Sequence, residues 1–393
     1  MSSAEITTSN PVEKRSSKMG KIIRAEIFKL KYDLSGYKLS YGTVYEAFPV
    51  LLILTDSEGR VGYGEANPER PFTKEDADDV IAALKNRLLP IVLREENVDP
   101  SHIEELLGQD EPDEDLMAKG AINIALMDLQ GKRLGVPVAE LLGKVVRRSL
   151  DVSHPLNNGT ADDDIRIIDA KLKEGYRHYM LKMGMSAYPI AGEITRVTEL
   201  QKRYGDSITI KVDANTGWSR EQAREFLDGV PDYPIFVEQP IDKHDIDGMA
   251  ELQKNTKLLV SADESLTGMA SAMEILEKGA ARIFSIKVSK NGGILTAQAI
   301  AKLAERNGIL CYPNSMLEGG ITQAASLHLI STLTNLVDAG GSYRSVLRLS
   351  GDATNFHTFI RDGVVYLPEG PGLGIEVDEK KVRSTALASY LVE

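Results

Sequence analysis

The stretch from Ile208 to Lys287 decides the fold. It holds four short runs rich in β-branched residues: Ile208-Thr-Ile-Lys-Val, Ile235-Phe-Val, Leu258-Leu-Val and Ile283-Phe-Ser-Ile. At or just after the end of each run stands a polar residue: Asp213, Glu238, Asp263 and Lys287. The three acids are 25 residues apart, and the lysine follows 24 residues later. A strand with a return helix takes about that many residues, so the spacing predicts consecutive βα units whose polar residues share the carboxyl edge of a parallel sheet.

The three acids are predicted metal ligands. Carboxylates that converge at one edge repel one another and take up protons unless a cation lies between them. Oxygen ligands of this kind suit Mg²⁺, which keeps open positions for a substrate. A simpler interpretation is that acids at strand ends cap the helices that follow, which would explain one or two of them. Three in register favour a metal site formed by Asp213, Glu238 and Asp263.

Two lysines flank this predicted site. Lys287 ends the fourth run, and Lys182 ends an earlier one, Tyr179-Met-Leu-Lys. With a substrate carboxylate on the metal, the adjacent carbon would lie between the two lysines, where a neutral lysine can take a proton and a protonated one can return it. The alternative for a lysine at a strand end is that it is simply solvated.

Three more polar residues are candidates for contact with the substrate or the ligands. Asn215 lies in Asp213-Ala-Asn, and Glu264 directly follows Asp263. Glu264 is expected either to point toward Lys287 and hold its charge or to be a surface acid on the loop. Glu318 is expected to contact substrate or a lysine, although the two glycines after it fit a plain loop-to-helix turn equally well.

Composition narrows the classes of protein. The chain has 393 residues and 42% hydrophobic content, enough for one barrel-sized domain and a smaller partner. A net charge of −12 argues against nucleic acid and acidic membranes as partners. The single cysteine, Cys311, excludes an intramolecular disulfide and a thiolate zinc site and fits a reducing, cytoplasmic location. No apolar run is long enough to span a bilayer, and the first residues lack the apolar core of a secretory signal.

The order of patterns predicts the domains. Residues 1–20 are expected to be a disordered extension, and 21–146 an α+β unit that begins with an antiparallel meander. From 147 to 350 strands alternate with helices, with the first strand expected at Ser149 to Ser153 and ending at His154, and the eighth at Asn335 to Ala339. This is the α/β pattern of a (β/α)₈ TIM-like barrel. Residues 351–393 are expected to return to the first unit.

The motifs together resemble a known family, the enolase superfamily, and within it the muconate-lactonising, muconate cycloisomerase-like subgroup of the mandelate racemase/muconate lactonising enzymes. The resemblance covers nearly all of the chain from about Lys21 onward. It is carried by Leu181-Lys-Met-Gly, Val212-Asp-Ala-Asn, Val237-Glu-Gln-Pro, Ala262-Asp-Glu-Ser, Ile286-Lys-Val-Ser-Lys-Asn-Gly-Gly and Ser315-Met-Leu-Glu. It implies that the three acids bind Mg²⁺, for which Mn²⁺ can substitute. It also implies that Lys182 and Lys287 are the acid/base pair on opposite faces of an enediolate, and that the N-terminal unit and the tail form a capping domain whose loops select the substrate.

Three positions depart from the family patterns. Met180 stands where the family usually has the first lysine of Lys-x-Lys, a neighbour that depresses the pKa of the base by like-charge repulsion. Strand eight has Asp338 but lacks the second acid of the Asp-x-Asp pair associated with dipeptide epimerases. On strand seven, Cys311-Tyr-Pro-Asn-Ser lacks the His of the sugar-acid dehydratases. With Met180 in place, Lys182 must be kept neutral by Mg²⁺ and burial, or it serves chiefly as an electrostatic or acid group. The other two departures lower the expectation of a dipeptide epimerase and of a sugar-acid dehydratase.

The predicted function is a Mg²⁺-dependent isomerase, either a racemase or epimerase or a cycloisomerase, that removes the α-proton of a carboxylate. A dehydratase with the same first step is the alternative, followed by a Schiff-base aldolase and a non-catalytic binding barrel. The expected partner is a small carboxylate such as an amino-acid derivative, and the chain is expected to form a homo-oligomer. Tyr37, Tyr41 and Tyr45 are expected either to form an aromatic wall over the site or to be ordinary packing residues.

Overall fold

The computed structural model describes residues 20–40, 42–109, 111–157, 160–185, 188–230, 233 and 236–393. The prediction of a disordered extension over 1–20 therefore lies, except for Gly20, outside the described residues, as does Tyr41. None of the helices in these ranges is both long and apolar enough to cross a membrane.

The N-terminal unit is a meander covered by helices. Its strands are β1 (Ile22–Lys29), β2 (Tyr32–Leu39), β3 (Gly42–Ala47), β4 (Val50–Asp56) and β5 (Val61–Ala66). Strands β1, β4 and β5 pair antiparallel, whereas β2 and β3 form a separate hairpin, the capping hairpin. The helices are α1 (Ala77–Ala83), α2 (Leu89–Arg94), α3 (Pro100–Gly108), α4 (Leu116–Leu134) and α5 (Val138–Leu142).

Helix α4 packs directly on β5 because two glycines in that strand leave room for it. A Cβ atom at Gly64 would lie 1.9 Å from the backbone oxygen of Ala121, and one at Gly62 would lie 2.2 Å from that of Ala125. The helix backbone therefore rests on the strand itself, and the buried apolar face of α4 completes the core of the N-terminal unit.

The second unit is a barrel of parallel strands. After the short strand β6 (Ser149–Asp151) come β7 (Ser153–Asn157), β8 (His178–Lys182), β9 (Thr209–Asp213), β10 (Phe236–Glu238), β11 (Leu259–Ala262), β12 (Ile283–Ile286) and β13 (Leu310–Pro313). Strands β7 to β13 pair in chain order. The helices are α6 (Ala161–Lys173), α7 (Ile190–Tyr204), α8 (Arg220–Gly229), α9 (Ile246–Asn255), α10 (Met269–Lys278), α11 (Ile294–Arg306) and α12 (Gly320–Ile330). The predicted barrel with a capping unit is confirmed.

Residues 335–341 occupy the eighth position of the barrel, where isolated β-bridges, and no continuous ladder, join them to their neighbours. Leu336 pairs in parallel with Cys311 of β13, and Gly341 pairs in parallel with Val152, just before β7. Gly340 has φ +64°, a left-handed conformation that interrupts an extended strand. The segment predicted as strand eight therefore closes the ring without forming a regular strand.

The predicted bounds of the first barrel strand, Ser149 to Ser153, were wrong. Residues Ser149–Asp151 pair antiparallel with β15 (Val364–Tyr366), which also pairs with β14 (Ile360–Arg361). The barrel strand is β7, so His154 lies inside a strand and not at its end. Pro155 is tolerated there because β7 has a continuous partner on only one side, and its missing N–H breaks no second ladder.

The tail is divided between the two units. Strands β14 and β15 pair with β6 beside the barrel, whereas α13 (Glu379–Thr385) leads into β16 (Ala388–Val392), which pairs antiparallel with β1. The last strand thus ties the end of the chain to the N-terminal unit.

Candidate active site

Five polar side chains meet at the carboxyl edge of the barrel. Lys182, Asp213 and Glu238 are the last residues of β8, β9 and β10, while Asp263 and Lys287 directly follow β11 and β12. Each is 6% exposed or less. In a ring of eight positions, β8 and β12 are four places apart, so the two lysines face each other across the barrel mouth with the three acids between them.

The outer acids are ion-paired with lysines. Lys182 Nζ donates to Asp213 and, at 3.1 Å, to Asn215 Oδ1. On the other side Lys287 Nζ donates to Asp263 Oδ2 at 2.7 Å, and Lys290 Nζ lies 3.0 Å from Oδ1 of the same carboxylate. Burial alone lowers the pKa of Lys182 and of Lys287, but the facing carboxylates more than offset it, so both pKa values lie above the ordinary value. In this arrangement both lysines are ammonium groups.

At two other carboxyl groups of the site, those of Glu238 and Glu264, burial and nearby negative charge outweigh the effect of nearby positive charge. Burial, together with the charges of Asp213 and Asp263, raises the pKa of Glu238 to about 7 and that of Glu264 to about 8. Glu238 Oε1 accepts from Asn314 Nδ2 at 2.6 Å, but Oε2 of Glu238 and Oε2 of Glu264 are buried without a hydrogen-bond partner. Such orphaned oxygens are costly in a buried site.

These observations test whether the residues fit a divalent cation. Within the described ranges, no three His, Cys, Asp or Glu residues converge as a ready-made metal cluster. The donor chemistry nevertheless fits, because the set consists of carboxylate oxygens and one of them, Glu238 Oε2, is buried and unpartnered. A cation between Asp213, Glu238 and Asp263 would replace the lysine ammonium groups that now neutralise the two outer acids.

The structure brings Glu264 into the site, where its charge is among those that raise the pKa of Lys287, in keeping with one of its two sequence expectations. Glu264 is 5% exposed and is not a surface acid, and its Oε1 accepts from Asn215 Nδ2 at 3.1 Å. Asn215 thereby bridges Lys182 and Glu264. Glu318 is fully buried and accepts from Gln323 Nε2 at 2.9 Å, and burial raises the pKa of Glu318 to about 7.

A buried ion pair supports the strand end that carries Lys182. Arg196 on α7 makes a bidentate pair with Asp164 on α6, and its Nη1 donates to the backbone oxygen of Lys182 at 3.1 Å. Both side chains of the pair are less than a tenth exposed. The guanidinium thus holds the backbone at the point where β8 leaves the barrel.

Sequence reasoning missed Lys211, which lies inside the barrel below the acids. Its Nζ is 3.0 Å from the centroid of the Tyr312 ring and has no hydrogen-bond partner. Burial lowers the pKa of Lys211 to about 7, although the charges of Glu238 and Asp213 oppose this. Lys211 is also directly paired with Met180 on β8. Strand alternation was the available signal, because a residue two before Asp213 must face the same side.

Two aromatic residues of the N-terminal unit lie over the two lysines. The Lys182 Nζ is 5.9 Å from the centroid of Tyr37, and the Lys287 Nζ is 4.1 Å from that of Phe72. Tyr37 belongs to the capping hairpin, which is also tied to the barrel by a 2.7 Å hydrogen bond from Ser40 Oγ to the Asn215 carbonyl. Tyr45, by contrast, is 62% exposed. Phe72 was not anticipated, since it lies in an irregular loop whose position only the packing of the two units defines.

A narrow pocket lies between these aromatics and the barrel. A cavity of about 40 Å³ is lined by both lysines, Asp213 and Tyr37, among other residues. That volume is room for a water molecule or two.

Comparison with known proteins now identifies the family. Residues 22–143 match the family model described as mandelate racemase / muconate lactonizing enzyme, N-terminal domain, and residues 165–381 match that described as enolase C-terminal domain-like. The chain belongs to the mandelate racemase/muconate lactonizing enzyme family. The predicted resemblance is confirmed.

Members of the family that resemble this chain along its length carry out isomerisations. Muconate cycloisomerase 1 of Pseudomonas putida is 33% identical over 352 residues, covering 88% of this chain and 92% of that protein. The L-Ala-D/L-Glu epimerase of Bacillus subtilis is 29% identical over 366 residues, covering 90% and 96%. The crystal structure of N-succinyl Arg/Lys racemase from Bacillus cereus superimposes with a TM-score of 0.88 at 26% identity, covering 95% and 100%. The chain is an enolase-superfamily isomerase.

Proposed function

We propose that this protein is a Mg²⁺-dependent isomerase that removes the proton next to a substrate carboxylate from one face and returns a proton from the other. The observation that carries the proposal is the placement of Lys182 and Lys287 on opposite strands of the barrel, lining one cavity, with the three acids between them. Two proton-transferring groups on opposite faces support racemisation or epimerisation of a carboxylate substrate.

Asp213, Glu238 and Asp263 are the residues that would hold the cation. Family membership implies a divalent metal, and an all-oxygen donor set favours Mg²⁺ over the softer transition metals. Bound there, the metal supplies positive charge where proton removal places negative charge on the substrate carboxylate. Asp263 receives two ammonium groups in the present arrangement and is the most fully neutralised of the three acids.

Each lysine must leave its acid before it can act as a base. Lys182 is paired with Asp213 and Lys287 with Asp263, and each carboxylate raises the pKa of its lysine. When the outer acids bind another cation, their part of this effect is lost, and burial, which lowers the pKa of each lysine, gains weight against the remaining charges. The substrate carbon then lies between the two Nζ atoms, and the neutral lysine takes its proton while the charged one supplies another.

Cycloisomerisation is the second candidate, since muconate cycloisomerase 1 is 33% identical over most of the chain. It needs one lysine to transfer the proton on the face where the ring forms or opens. A dehydratase would use the same first step and then lose a β-substituent.

Proton exchange in D₂O separates these possibilities. The enzyme with Mg²⁺ is incubated with a panel of carboxylic acids and N-acyl amino acids, and NMR follows the α-proton. Exchange with inversion indicates a racemase or epimerase, a new ring indicates a cycloisomerase, and loss of water indicates a dehydratase. Lys182→Ala and Lys287→Ala are each expected to abolish turnover, and each is expected to retain exchange with only the enantiomer that the remaining lysine faces.

The matched control is Lys302→Ala, an exposed lysine on α11 that is expected to leave turnover unchanged. Full activity of either active-site variant, or activity unaffected by EDTA, would contradict the proposal. Trapping of a substrate carbonyl on Lys182 or Lys287 with borohydride would instead indicate Schiff-base chemistry. A rise in melting temperature on addition of Mg²⁺, absent in Asp213→Asn, tests metal binding without relying on turnover.

A further inference from the structure

The short loop that carries Lys287 is closed by its own hydrogen bonds. It begins at Lys287, directly after β12, and ends at Gly293, the residue before α11. The Asn291 N–H donates to the Lys287 carbonyl at 2.8 Å, and the Lys287 N–H donates to Asn291 Oδ1 at 2.8 Å. The backbone of Lys287 is therefore fixed to the loop, and a shift of the loop moves Lys287 with it.

Helix α4 of the N-terminal unit lies directly against this loop. A Cβ atom at Gly120 would lie 3.1 Å from the Gly293 nitrogen and 3.1 Å from the Ser289 carbonyl oxygen, so the two backbones are in contact. Gly293 has φ +108°, and a Cβ atom there would lie 2.7 Å from the Cβ of Asn123. Because packing this close leaves no free space, the position of α4 determines that of the loop.

The helix after the loop has its N-terminus capped by a residue of α4. Gly293, at the N-cap position of α11, has no side chain that could accept a hydrogen bond from the first turn. Asn123 Oδ1 does so instead, and it accepts from the N–H of Ile294 at 2.9 Å and from that of Leu295 at 3.4 Å. A helix cap normally comes from the helix's own N-cap residue, whereas this one comes from the other unit of the molecule.

The Asn123 amide is held in this orientation by a buried acid. Its Nδ2 donates to Glu104 Oε2 at 2.9 Å, and Glu104 Oε1 accepts from Thr296 Oγ1 of α11 at 2.8 Å. The nitrogen must face the carboxylate, so the oxygen faces the N–H groups of α11. Asn123 is 5% exposed, and its loss would leave buried polar groups without partners.

We propose that Asn123 is a positioning residue for Lys287, so that docking of the N-terminal unit on the barrel sets the place of one of the two proton-transferring lysines. This inference rests on the proposed function, which gives Lys287 that role. The backbone after Lys182 is held differently, because the next two N–H groups donate to Asp213 and Glu193 of the barrel itself. Loss of Asn123 therefore disturbs one face of the site and spares the other.

Amide hydrogen exchange tests this without a substrate. Mass spectrometry with residue-level fragmentation follows the N–H groups of Lys287, Asn291 and Gly293, none of which donates to Asn123, and that of Met183 on the opposite side. In Asn123→Ala the three loop amides should exchange about tenfold faster, since loss of a buried helix cap makes local opening easier. Met183 should exchange at the wild-type rate. Equal acceleration at all four amides, or none at the loop, would overturn the proposal.

A double variant provides the rescue. In Asn123→Asp/Glu104→Gln the introduced carboxylate accepts from the Ile294 N–H, and the introduced amide donates to that carboxylate while its oxygen accepts from Thr296. Every hydrogen bond of the network is thus kept with donor and acceptor exchanged, and loop exchange should return to the wild-type rate. Gln130→Ala is the matched control, since Gln130 lies on the same helix but bonds within the N-terminal unit, and it should change none of the four amides.

Proton exchange on a substrate separates this proposal from the proposed function. For an acid of the D₂O panel that exchanges, Asn123→Ala should slow exchange of the enantiomer that faces Lys287 by about tenfold or more, because a misplaced base reacts slowly. The other enantiomer should keep the wild-type rate. Equal slowing of both enantiomers would leave the proposed function standing and overturn the role of Asn123. If no acid exchanges, the proposed function fails, and the amide measurement still decides whether Asn123 holds the loop.

Discussion

Glu65 provides a prediction whose size follows from the structure. It lies in β5 at the junction of the two units and is 1% exposed. Its Oε2 accepts from the backbone N–H of Thr322 on α12 at 3.0 Å, and the Tyr32 hydroxyl lies 3.4 Å from its Oε1. Burial and the nearby Asp352 raise the pKa of Glu65 from 4.5 to about 8. The folded protein therefore keeps a proton that the unfolded chain releases.

The sign of the effect follows from proton linkage. Between pH 4.5 and 8 the native state binds more protons at Glu65 than the unfolded state does, so stability falls as the pH rises through this window. With about 1.4 kcal/mol for each pKa unit, the loss approaches roughly 5 kcal/mol above pH 8 and is about 3 kcal/mol at pH 7. Glu65→Gln keeps the shape and the acceptor for Thr322 but has no proton to lose.

Urea denaturation at pH 5, 7 and 8.5 measures this prediction. The midpoint of Glu65→Gln should be close to that of wild type at pH 5 and increasingly higher as the pH rises. Glu225→Gln, an exposed position on α8, is the control and should show no such trend. A difference that does not change with pH, or a Gln variant that is less stable at pH 8.5, would refute the assignment of a protonated Glu65.

Two further predictions concern the scaffold of the site. Arg196→Met leaves Asp164 as an uncompensated buried charge and should lower the free energy of unfolding, measured by urea denaturation, by about 3–5 kcal/mol. Arg203→Met, the control, breaks an exposed ion pair and should lower it by at most about 1 kcal/mol. Gly184 has φ +75°, and Gly184→Ala places a Cβ 2.4 Å from a backbone oxygen, so this variant should have a lower melting temperature and a lower turnover. Gly279 has φ +63° but no atom within 4 Å of an added Cβ, so Gly279→Ala, the control, should lower the melting temperature clearly less and leave turnover unchanged.

Local patterns in the chain predicted the barrel and the set of residues at its mouth. The regular spacing of Asp213, Glu238, Asp263 and Lys287 reflects the length of a βα unit, and parallel strands then bring their ends to one edge whatever the side chains between them. The side that each residue faces also follows from alternation along the strand. Lys211 could have been found in this way, since it stands two residues before Asp213 in β9.

Positions that depend on distant parts of the chain were not predictable in this way. Ser149–Asp151 has the composition of a barrel strand, yet it pairs with Val364–Tyr366, more than 200 residues later. Glu264 was expected either to point toward Lys287 or to be a surface acid, and only the folded chain, in which Asn215 holds it within the site, excludes the surface position. In each case an antiparallel partner or a hydrogen bond from elsewhere in the fold decides the outcome.

The sequence alone determined the barrel class, the family and the acids and lysines of the site, because these depend on motifs and on a spacing that the chain carries locally. The tertiary structure decided which groups surround that site. Tyr37 and Phe72 reach the two lysines from the N-terminal unit, and Arg348 reaches the cavity from beyond the eighth barrel position. Contacts of this kind are set by the packing of two units against each other, which no local spacing encodes, and for that reason these neighbours of the site emerged only from the folded chain.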